Sequence, residues 1–497
     1  MSDALQSLSR FLPELILMAA LAVVIVADLL TQRRPLKSST DLLTGITLVG
    51  LLGALVTSWQ ALGAGEAQSL FASMLADDGL LGVFRPIFCL TSIVVLLLSM
   101  RSKELEGVRL GEMLALLLTV TAALMWMAGS VNLVMIYLSL ETVSVASYIM
   151  VGYLSSDRLS NEASLKYILF GAVSTGAMLF GLSLLYGMTG TLDLYGVRAA
   201  LAEGAFGPGL LFVLVLIAAG IGFKIAAAPF HFWCPDVYTG APTPVTAFLS
   251  VGPKAAGFAI LIRFFYLGLA EPAGGGAIAP VGGADWQMLL MMLAVITMTL
   301  GNVAALLQTN VKRLLAYSSI AHAGTMLMAA CVLSVEGVQA IAAYLAIYLF
   351  MNLGAFTVVI LAHRVTGSFE IGSYAGFWKR SPLLTVAMGI FLFSLMGIPP
   401  FAGFLAKWYV FAAVINAGLG WLAVVGVLNA AVAAFYYVKI LRIMVIDEET
   451  GPTPALAFSR LDLGLLVLLV VPNVLGLLFW GSLDRVTEYS QTLLELG

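Results

Sequence analysis

Apolar stretches long enough to cross a bilayer recur along the whole of this 497-residue chain, and no other feature restricts its fold so tightly. A spanning helix needs about 20 predominantly apolar residues. Runs of that order lie at 11–31, 40–61, 79–100, 110–128, 131–153, 164–187, 208–232, 243–269, 286–307, 311–333, 337–362, 382–415, 418–446 and 461–481. Backbone polar groups in lipid must be satisfied within a helix or around a closed barrel, so these runs are expected to be fourteen α-helices. Only 10% of the residues are charged, where a soluble domain carries about 25%. The expected class is an all-α polytopic membrane protein with no separate soluble domain. A net charge of −3 offers no basis for binding nucleic acid, and the isolated Cys89, Cys234 and Cys331 imply no disulfide.

Lysine and arginine favour cytoplasmic loops, and this tests the helix count. With fourteen spans, the odd-numbered loops hold Arg33, Arg34, Lys37, Arg101, Lys103, Arg109, Arg158, Lys312, Arg313, Arg364, Lys379, Arg380, Arg442 and Arg460, while the even-numbered loops hold only Arg198. One missed or invented span would scramble that parity. Both termini are therefore expected on the outer face. The first run is a full span containing Glu14 and Asp28, preceded by Asp3 and Arg10, so it reads as a retained helix rather than a cleaved leader. The stretches 271–285, rich in Gly and Ala, and 447–460, with Asp447, Glu448, Glu449 and two prolines, read as loops facing water or neighbouring subunits.

Seven of the 24 cationic side chains remain once those of the loops and Arg10 and Arg485 are counted. Arg85, Lys166, Arg263 and Lys439 lie within a few turns of a predicted helix end, where long side chains can snorkel to the headgroups. Snorkelling is the expectation for Arg85, Arg263 and Lys439. Lys224, Lys254 and Lys407 are too deep for that. An ammonium group near the bilayer centre costs roughly 2.5–3.5 kcal/mol on insertion scales, so such residues usually line an ion or proton path. Three of them in one chain, with Glu141 equally deep, point to function rather than to packing.

The backbone around these lysines is interrupted. Lys224 lies in Gly220-Ile221-Gly222-Phe223-Lys224, with Pro229 soon after, in a stretch largely uncharged up to Asp236. A straight helix over 208–239 would be about 48 Å long, well beyond a hydrocarbon core of about 30 Å, so the segment must bend or break. Gly397-Ile398-Pro399-Pro400 interrupts the run at 382–415 ahead of Lys407, and Lys254 directly follows Pro253. Broken helices at corresponding places in two halves point to an inverted-repeat transporter, because freed backbone groups must line water or protein. The expected organisation is an N-terminal three-helix segment at 1–109, one five-helix repeat at 110–270 (helices 4–8), a second, inverted, at 271–446 (helices 9–13), and a C-terminal loop and helix at 447–497. Helices 7 and 12 are the broken ones.

The segment Pro229-Phe230-His231-Phe232-Trp233-Cys234-Pro235-Asp236-Val237-Tyr238-Thr239-Gly240-Ala241-Pro242-Thr243-Pro244-Val245 closely resembles the one after the broken seventh helix in the N subunits of NADH:quinone oxidoreductase, respiratory complex I. These belong to the antiporter-like family of proton-translocating subunits. Asn161-Glu162-Ala163-Ser164-Leu165-Lys166-Tyr167, Lys312-Arg313-Leu314-Leu315-Ala316-Tyr317-Ser318-Ser319-Ile320 and Gly397-Ile398-Pro399-Pro400-Phe401-Ala402-Gly403-Phe404 match as well, so the resemblance runs from about Asp77 to Lys439. The sequence departs from the family at Cys234, often a hydroxyl residue, and Phe401, often Thr; neither replaces an ionisable group.

The resemblance implies that Glu141 and Lys224 form a switchable ion pair, with Lys166 supporting Lys224 and sharing influence over Glu141. Lys254 would be the central relay and Lys407 the group that hands protons onward. His231 and His322 would serve hydrated side paths, or else be satisfied histidines between helices; His363 reads as a surface or interface residue. Tyr148, Tyr317 and Ser318 are placed to order water or to bond neighbouring helices. The resemblance also implies that NADH, FMN, iron–sulfur clusters and quinone are bound by other subunits and no cofactor or metal by this chain. Its partners would be lipids and the other membrane subunits, the M- and K-type among them, in the inner cell membrane.

Elementary energetics are consistent with those roles. Moving one proton against about 150 mV costs roughly 3.5 kcal/mol, and one pKa unit is worth about 1.36 kcal/mol. A swing of two to three units in a desolvated lysine is enough, and moving a carboxylate toward or away from it supplies a change of that kind. A redox carrier is disfavoured because there is no C-x-x-C pair and His231, His322 and His363 do not pair at one depth. The main alternative is an Mrp-type cation/proton antiporter subunit. A sodium path would favour acidic and carbonyl ligands, whereas only Glu141 is plainly midmembrane. A bare scaffold would leave three deep lysines without purpose.

The loop parity generates a direct test. A cysteine placed in the 101–109 loop should react with an impermeant maleimide only from the cytoplasmic side, and one in the 271–285 loop only from the outside. Labelling of either from the opposite side would mean that the spans between them are miscounted.

Overall fold

The computed structural model describes residues 7–31, 36–63, 67–204, 206–448 and 457–496. Asp3, Arg33, Arg34, Glu449, Pro452 and Pro454 and the side chain of Lys37 lie outside the described residues. The apolar runs fold as helices α1 (Leu12–Thr31), α2 (Leu36–Ala61), α3 (Gly79–Ser99), α4 (Gly111–Gly129), α5 (Leu133–Val151) and α6 (Arg158–Thr189). After the short α7 (Leu194–Glu203) come α8 (Gly207–Ile225), the short α9 (Trp233–Gly240), α10 (Thr243–Ile262), α11 (Trp286–Leu306), α12 (Val311–Ala330) and α13 (Val335–Thr366). A single turn, α14 (Phe377–Arg380), leads into α15 (Pro382–Met396), α16 (Ala402–Asn416), α17 (Gly420–Val445), α18 (Arg460–Leu475) and α19 (Trp480–Glu488). Among the described residues eleven helices are long and apolar enough to cross a membrane, or twelve if α18 and α19, bent by 93°, form one span. The chain is a polytopic helical membrane protein.

Two small antiparallel hairpins complete the fold, β1 (Gln68–Leu70) with β2 (Leu75–Asp77) and β3 (Ala270–Gly274) with β4 (Ala277–Pro280), the second within the predicted 271–285 loop. Side-chain caps decide where several helices begin. Asp157 accepts the Leu159 N–H and starts α6 well ahead of the apolar run at 164; Asn132, Asp193 and Asn310 start α5, α7 and α12 in the same way. At the centre of the bundle α10 is buried along its whole length.

Two long helices, one in each half of the chain, end alike. α6 and α13 are both 32 residues long, and each ends in a left-handed glycine, Gly190 and Gly367, at φ 70° and 64°. The strings Thr189-Gly190-Thr191-Leu192-Asp193-Leu194 and Thr366-Gly367-Ser368-Phe369-Glu370-Ile371 then fold back on the start of the preceding helix. Leu133 N–H donates to Leu192 O at 2.8 Å and Leu194 N–H to Val131 O at 2.9 Å. Val311 N–H donates to Phe369 O and Ile371 N–H to Thr309 O, both at 2.8 Å. Each half also contains one interrupted helix.

The interruptions fall at the expected strings. α8 stops at Ile225, where Ala226 adopts φ 58°, ψ 40°; α15 stops at Met396, where Gly397 adopts φ 82°. The left-handed region is costly for alanine and free for glycine, so the first break is one the sequence signals only weakly. Freed backbone groups find partners inside the bundle, as lipid-embedded backbone must. Thr297 Oγ1 on α11 accepts the Ala228 N–H at 3.0 Å, Trp233 Nε1 donates to Phe223 O at 3.0 Å, and Ser394 Oγ accepts the Gly403 N–H at 3.0 Å.

Two arginines expected to snorkel are instead sealed inside the protein. Arg85, 1% exposed, donates to Glu14 at 2.8 and 3.1 Å and to Asp77 at 2.7 Å, tying α3 to α1 and to the end of β2. Arg263, fully buried in the π-helical turn Arg263–Leu267 that continues α10, grips Asp78 with two bonds of 2.8 and 2.9 Å and also donates to Ala128 O at the end of α4. The expectation failed because the carboxylates that neutralise these guanidinium groups are distant in sequence or lie in a hairpin whose fold is not apparent beforehand. Lys439 does lie at a helix end, half-buried, and donates to Gln308 O at 3.2 Å.

Truncating one member of a buried ion pair leaves an uncompensated charge and costs on the order of 3–5 kcal/mol. Arg85→Leu strands Glu14 and Asp77, so it should lower the amount of folded protein recovered from the membrane and its resistance to limited proteolysis. Normal yield and protease resistance would show that the cluster does not hold α1, α3 and the hairpin together.

Candidate proton path

All three deep lysines are enclosed by protein, and each ammonium is met by neutral oxygen. Lys224, 2% exposed in the last turn of α8, donates to Ser144 Oγ on α5 at 2.9 Å. Lys254, 1% exposed at the middle of α10, donates to Ser319 O at 2.6 Å and to Ser319 Oγ at 2.5 Å on α12. Lys407, 9% exposed on α16, donates to Met396 O at 2.6 Å, a carbonyl freed by the break in its own span. The C-terminal end of a helix carries partial negative charge, so the end of α15 is a natural seat for this ammonium.

Glu141 is half-buried on α5, three residues before Ser144. Its charge reaches Lys224, Tyr137 and Tyr148, but among the described residues Lys224 forms no ion pair. The expected Glu141–Lys224 pair is therefore open in this structure, with Ser144 holding the ammonium. Lys166 also differs from the expectation. It is partly exposed and bonds Glu162 at 2.8 Å and Asp236 at 2.7 Å rather than Glu141. Asp236 in turn takes Arg313 at 2.5 Å. Lys166, Asp236 and Arg313, with His231 and Tyr317, line an open cavity of about 430 Å³. His231 is 4% exposed, and its Nδ1 has no hydrogen-bond partner among the described residues.

Between Lys254 and Lys407 stands His322, 5% exposed on α12, three residues after Ser319. Its Nδ1 meets Tyr344 OH at 2.6 Å and its Nε2 meets Tyr437 OH at 3.1 Å; Tyr437 OH also meets Ser318 Oγ at 2.5 Å. A cavity of about 20 Å³, room for about one water, is lined by His322, Lys407, Asn302, Asn429 and Tyr436. Asn302 links to Asn429 at 3.1 Å and to Tyr436 OH at 3.0 Å. Of the other residues placed to order water, Tyr148 OH is buried with no partner among the described residues, and it faces Tyr167 edge-on at 4.7 Å. His363 is stacked on Phe369 at 4.1 Å at the end of α13.

Sequence reasoning overlooked Ser144, Ser319, Tyr344 and Tyr437, the neutral groups that hold the lysines and His322. The spacing from two capping asparagines contains the missing signal. Counted from the capping asparagines, Glu141 is nine residues after Asn132 and Ser319 nine after Asn310; Ser144 is twelve after Asn132 and His322 twelve after Asn310. Ser319, which holds Lys254, thus stands where Glu141 stands, and His322 stands where Ser144, which holds Lys224, stands.

Comparison with known proteins identifies the family. The family model described as NADH:quinone oxidoreductase/Mrp antiporter, transmembrane, matches residues 130–433. NADH-quinone oxidoreductase subunit N of Anaeromyxobacter sp. (strain Fw109-5) is 43% identical, with 99% of this chain and 98% of that protein aligned. The chain belongs to the subunit N family of NADH-quinone oxidoreductases. Subunit N 2 of Sorangium cellulosum (strain So ce56) is 44% identical over 99% of both chains. Among solved structures, a chain of respiratory complex I from Thermus thermophilus with bound aureothin superposes with a TM-score of 0.76 at 31% identity, covering 94% of this chain and 99% of that one. A chain of the Mrp complex from Dietzia sp. superposes with a TM-score of 0.80 at 18% identity, covering 98% of each chain, which shows a shared fold.

For this subunit N family member, the Lys407 seat yields a discriminating substitution. Arginine keeps the charge but does not deprotonate in the accessible range. If Lys407 must cycle between charged and neutral, Lys407→Arg should impair proton pumping nearly as much as Lys407→Ala in assembled membranes. Near-native pumping by the arginine variant would reduce Lys407 to a fixed electrostatic element.

Proposed function

We propose that this chain is a proton-translocating membrane subunit of an NADH:quinone oxidoreductase complex, coupling quinone reduction elsewhere in the complex to proton movement through its buried relay. The observation that carries the proposal is the set of three enclosed lysines, each on neutral oxygen, with His322 and hydroxyl groups bridging the interval between the second and the third. The order is Glu141 and Lys224 on α5 and α8, Lys254 on α10, His322 on α12 and Lys407 on α16. A lysine held only by hydroxyl or carbonyl oxygen loses little when it gives up its proton, whereas one held by a carboxylate is fixed as a cation. Closure of Glu141 on Lys224 would draw a proton onto Lys224, and reopening would release it toward Lys254. The cavity around His231, Asp236, Lys166 and Arg313 serves as the aqueous approach to that pair, with Lys166 acting through Asp236.

The architecture that suits this role is fourteen spans, counting α12, the two-part span α8/α9, the two-part span α15/α16 and the bent α18/α19. Two inverted repeats at 110–270 and 271–446 follow an N-terminal segment at 1–109 and precede the segment 447–497. The paired 32-residue helices, their matching fold-back strings and the paired breaks support that division. The membrane is the inner cell membrane, with both termini on its outer face and M- and K-type subunits as neighbours. NADH, FMN, iron–sulfur clusters and quinone belong to other subunits. An Mrp-type antiporter role is less well supported, because the full-length relatives at 43–44% identity carry the subunit N name.

A double-mutant cycle tests the switch. Glu141→Ala and Lys224→Ala should each depress quinone-linked proton pumping strongly, on the order of tenfold or more, while the complex still assembles. Because both disable one device, the double variant should cost less than the sum of the two in free energy. Full additivity in matched membranes would mean that the two groups do not communicate.

A further inference from the structure

One buried cation takes no part in the relay just described. Lys312, 1% exposed at the first turn of α12, donates to Ala241 O at 2.7 Å, just ahead of α10. Its ammonium lies 3.6 Å from Glu104 and 4.6 Å from the centre of the Phe369 ring. Glu104 comes from the 3₁₀ turn Lys103–Leu105 between α3 and α4, outside both halves of the repeat, and its side chain is 15% exposed. It reaches over to accept the Thr243 N–H at 2.8 Å, at the very start of α10. His363 and Lys103 act electrostatically on this site from α13 and the same turn, and Asp157 acts on Lys312 from the cap of α6. Burial alone would raise the Glu104 carboxyl; Lys312 and the Thr243 N–H outweigh it and hold the group below its usual range.

Behind this pair a row of buried polar side chains lies along α10 toward Lys254. Thr243, Thr246, Ser250 and Lys254 are spaced three and four residues apart, which puts them on one face of α10, and all are buried. Asn352 of α13 donates to Ser250 Oγ at 2.5 Å, and Tyr238 and Tyr348 lie beside Ser319, the residue that holds Lys254. Thr243 Oγ1 and Asn352 Oδ1 are buried polar atoms without a hydrogen-bond partner among the described residues, and the Tyr238 and Tyr348 hydroxyls face Ser319. Such atoms beside one face of α10 are far from the usual case, in which buried polar groups are bonded to protein or to ordered water. Polar sites of this kind hold ordered water.

We propose that Glu104 and Lys312 form the cytoplasmic gate of a proton-uptake column that runs along α10 to Lys254. The inference rests on the proton-relay reading and on the orientation given above, and it assigns a step to residues which that reading leaves unused. Glu104 takes one proton from cytoplasmic water and loosens from Lys312. It passes one proton through the Thr243 hydroxyl, the column water and Ser319 to neutral Lys254, and the carboxylate then closes again. Lys312 stays anchored on Ala241 O and the Phe369 ring throughout, so it positions the carboxylate and does not itself carry the proton.

The test uses the assembled complex in inverted membrane vesicles, with proton pumping and quinone-linked turnover followed as external pH is varied. Glu104→Gln should lower pumping roughly tenfold or more at alkaline pH, with the deficit shrinking as pH falls. Glu104→Asp should restore most of the rate, and added formate, a small mobile acid, should partly rescue Glu104→Gln. A pH-independent loss that formate does not relieve, or a wild-type profile, would overturn the gate. If Glu104→Gln fails to assemble, Thr243→Val decides, because it removes the hydroxyl and keeps the backbone bond to Glu104; wild-type pumping in that variant would overturn the column. Lys254→Ala separates the two levels. If it pumps normally the relay reading itself fails, whereas its loss beside a normal Glu104→Gln leaves the relay standing and removes only the gate.

Discussion

Everything in this fold turns on how a cation is kept inside a bundle from which water is largely excluded. Two solutions coexist. Arg85 and Arg263 are held by carboxylates in bidentate or doubly bonded geometry, an arrangement that suits a guanidinium and leaves it permanently charged. Lys224, Lys254 and Lys407 rest on a serine hydroxyl, a serine with its carbonyl, and a freed helix-end carbonyl. Removing a proton from an ammonium on neutral oxygen strands no counter-charge, so the same burial that makes the arginines structural leaves the lysines able to change state. The ionic clusters locate the helices; the lysines and hydroxyls occupy the space so defined.

The interrupted helices supply what an unbroken bundle lacks. A continuous helix spends its carbonyls on its own N–H groups, and a break releases some of them at midmembrane depth. Met396 O is one, and Lys407 takes it. At the other break Phe223 O is bonded by Trp233 instead, and Lys224, two residues before the left-handed Ala226, turns to Ser144 on α5. The two breaks are therefore alike in backbone while their lysines are served differently. That asymmetry puts the Lys224 ammonium within reach of the charge on Glu141, whereas the corresponding position of the second half is Ser319, which serves Lys254.

Much of this architecture was legible beforehand, and particular residues show why the rest was not. Period and length in the apolar runs located the helices, since lipid leaves the backbone little choice, and Gly397-Ile398-Pro399-Pro400 announced its own break. Ala226 announced nothing, because an alanine in the left-handed region is stabilised by surrounding packing rather than by its own preference. Arg85 and Arg263 read as snorkelling because their carboxylates come from Glu14, Asp77 and Asp78, on another helix and at the end of a hairpin. Lys312 counted as an ordinary loop cation, and only the docking of the 102–105 turn over α10 encloses it.

By itself the sequence determined the membrane environment, that the Lys224 and Lys407 segments must break, and which ammonium groups lie too deep to reach water, because each follows from local composition measured against a fixed bilayer thickness. Only the tertiary structure decided what those groups touch. Whether Lys224 meets Glu141 or Ser144, whether Lys166 meets Glu141 or Asp236, and whether His322 stands alone or between two tyrosines depend on the packing of helices far apart in the chain. A hydrogen bond is lost with a displacement of about 1 Å, and no periodicity in a single strand of sequence encodes the relative placement of two helices that finely.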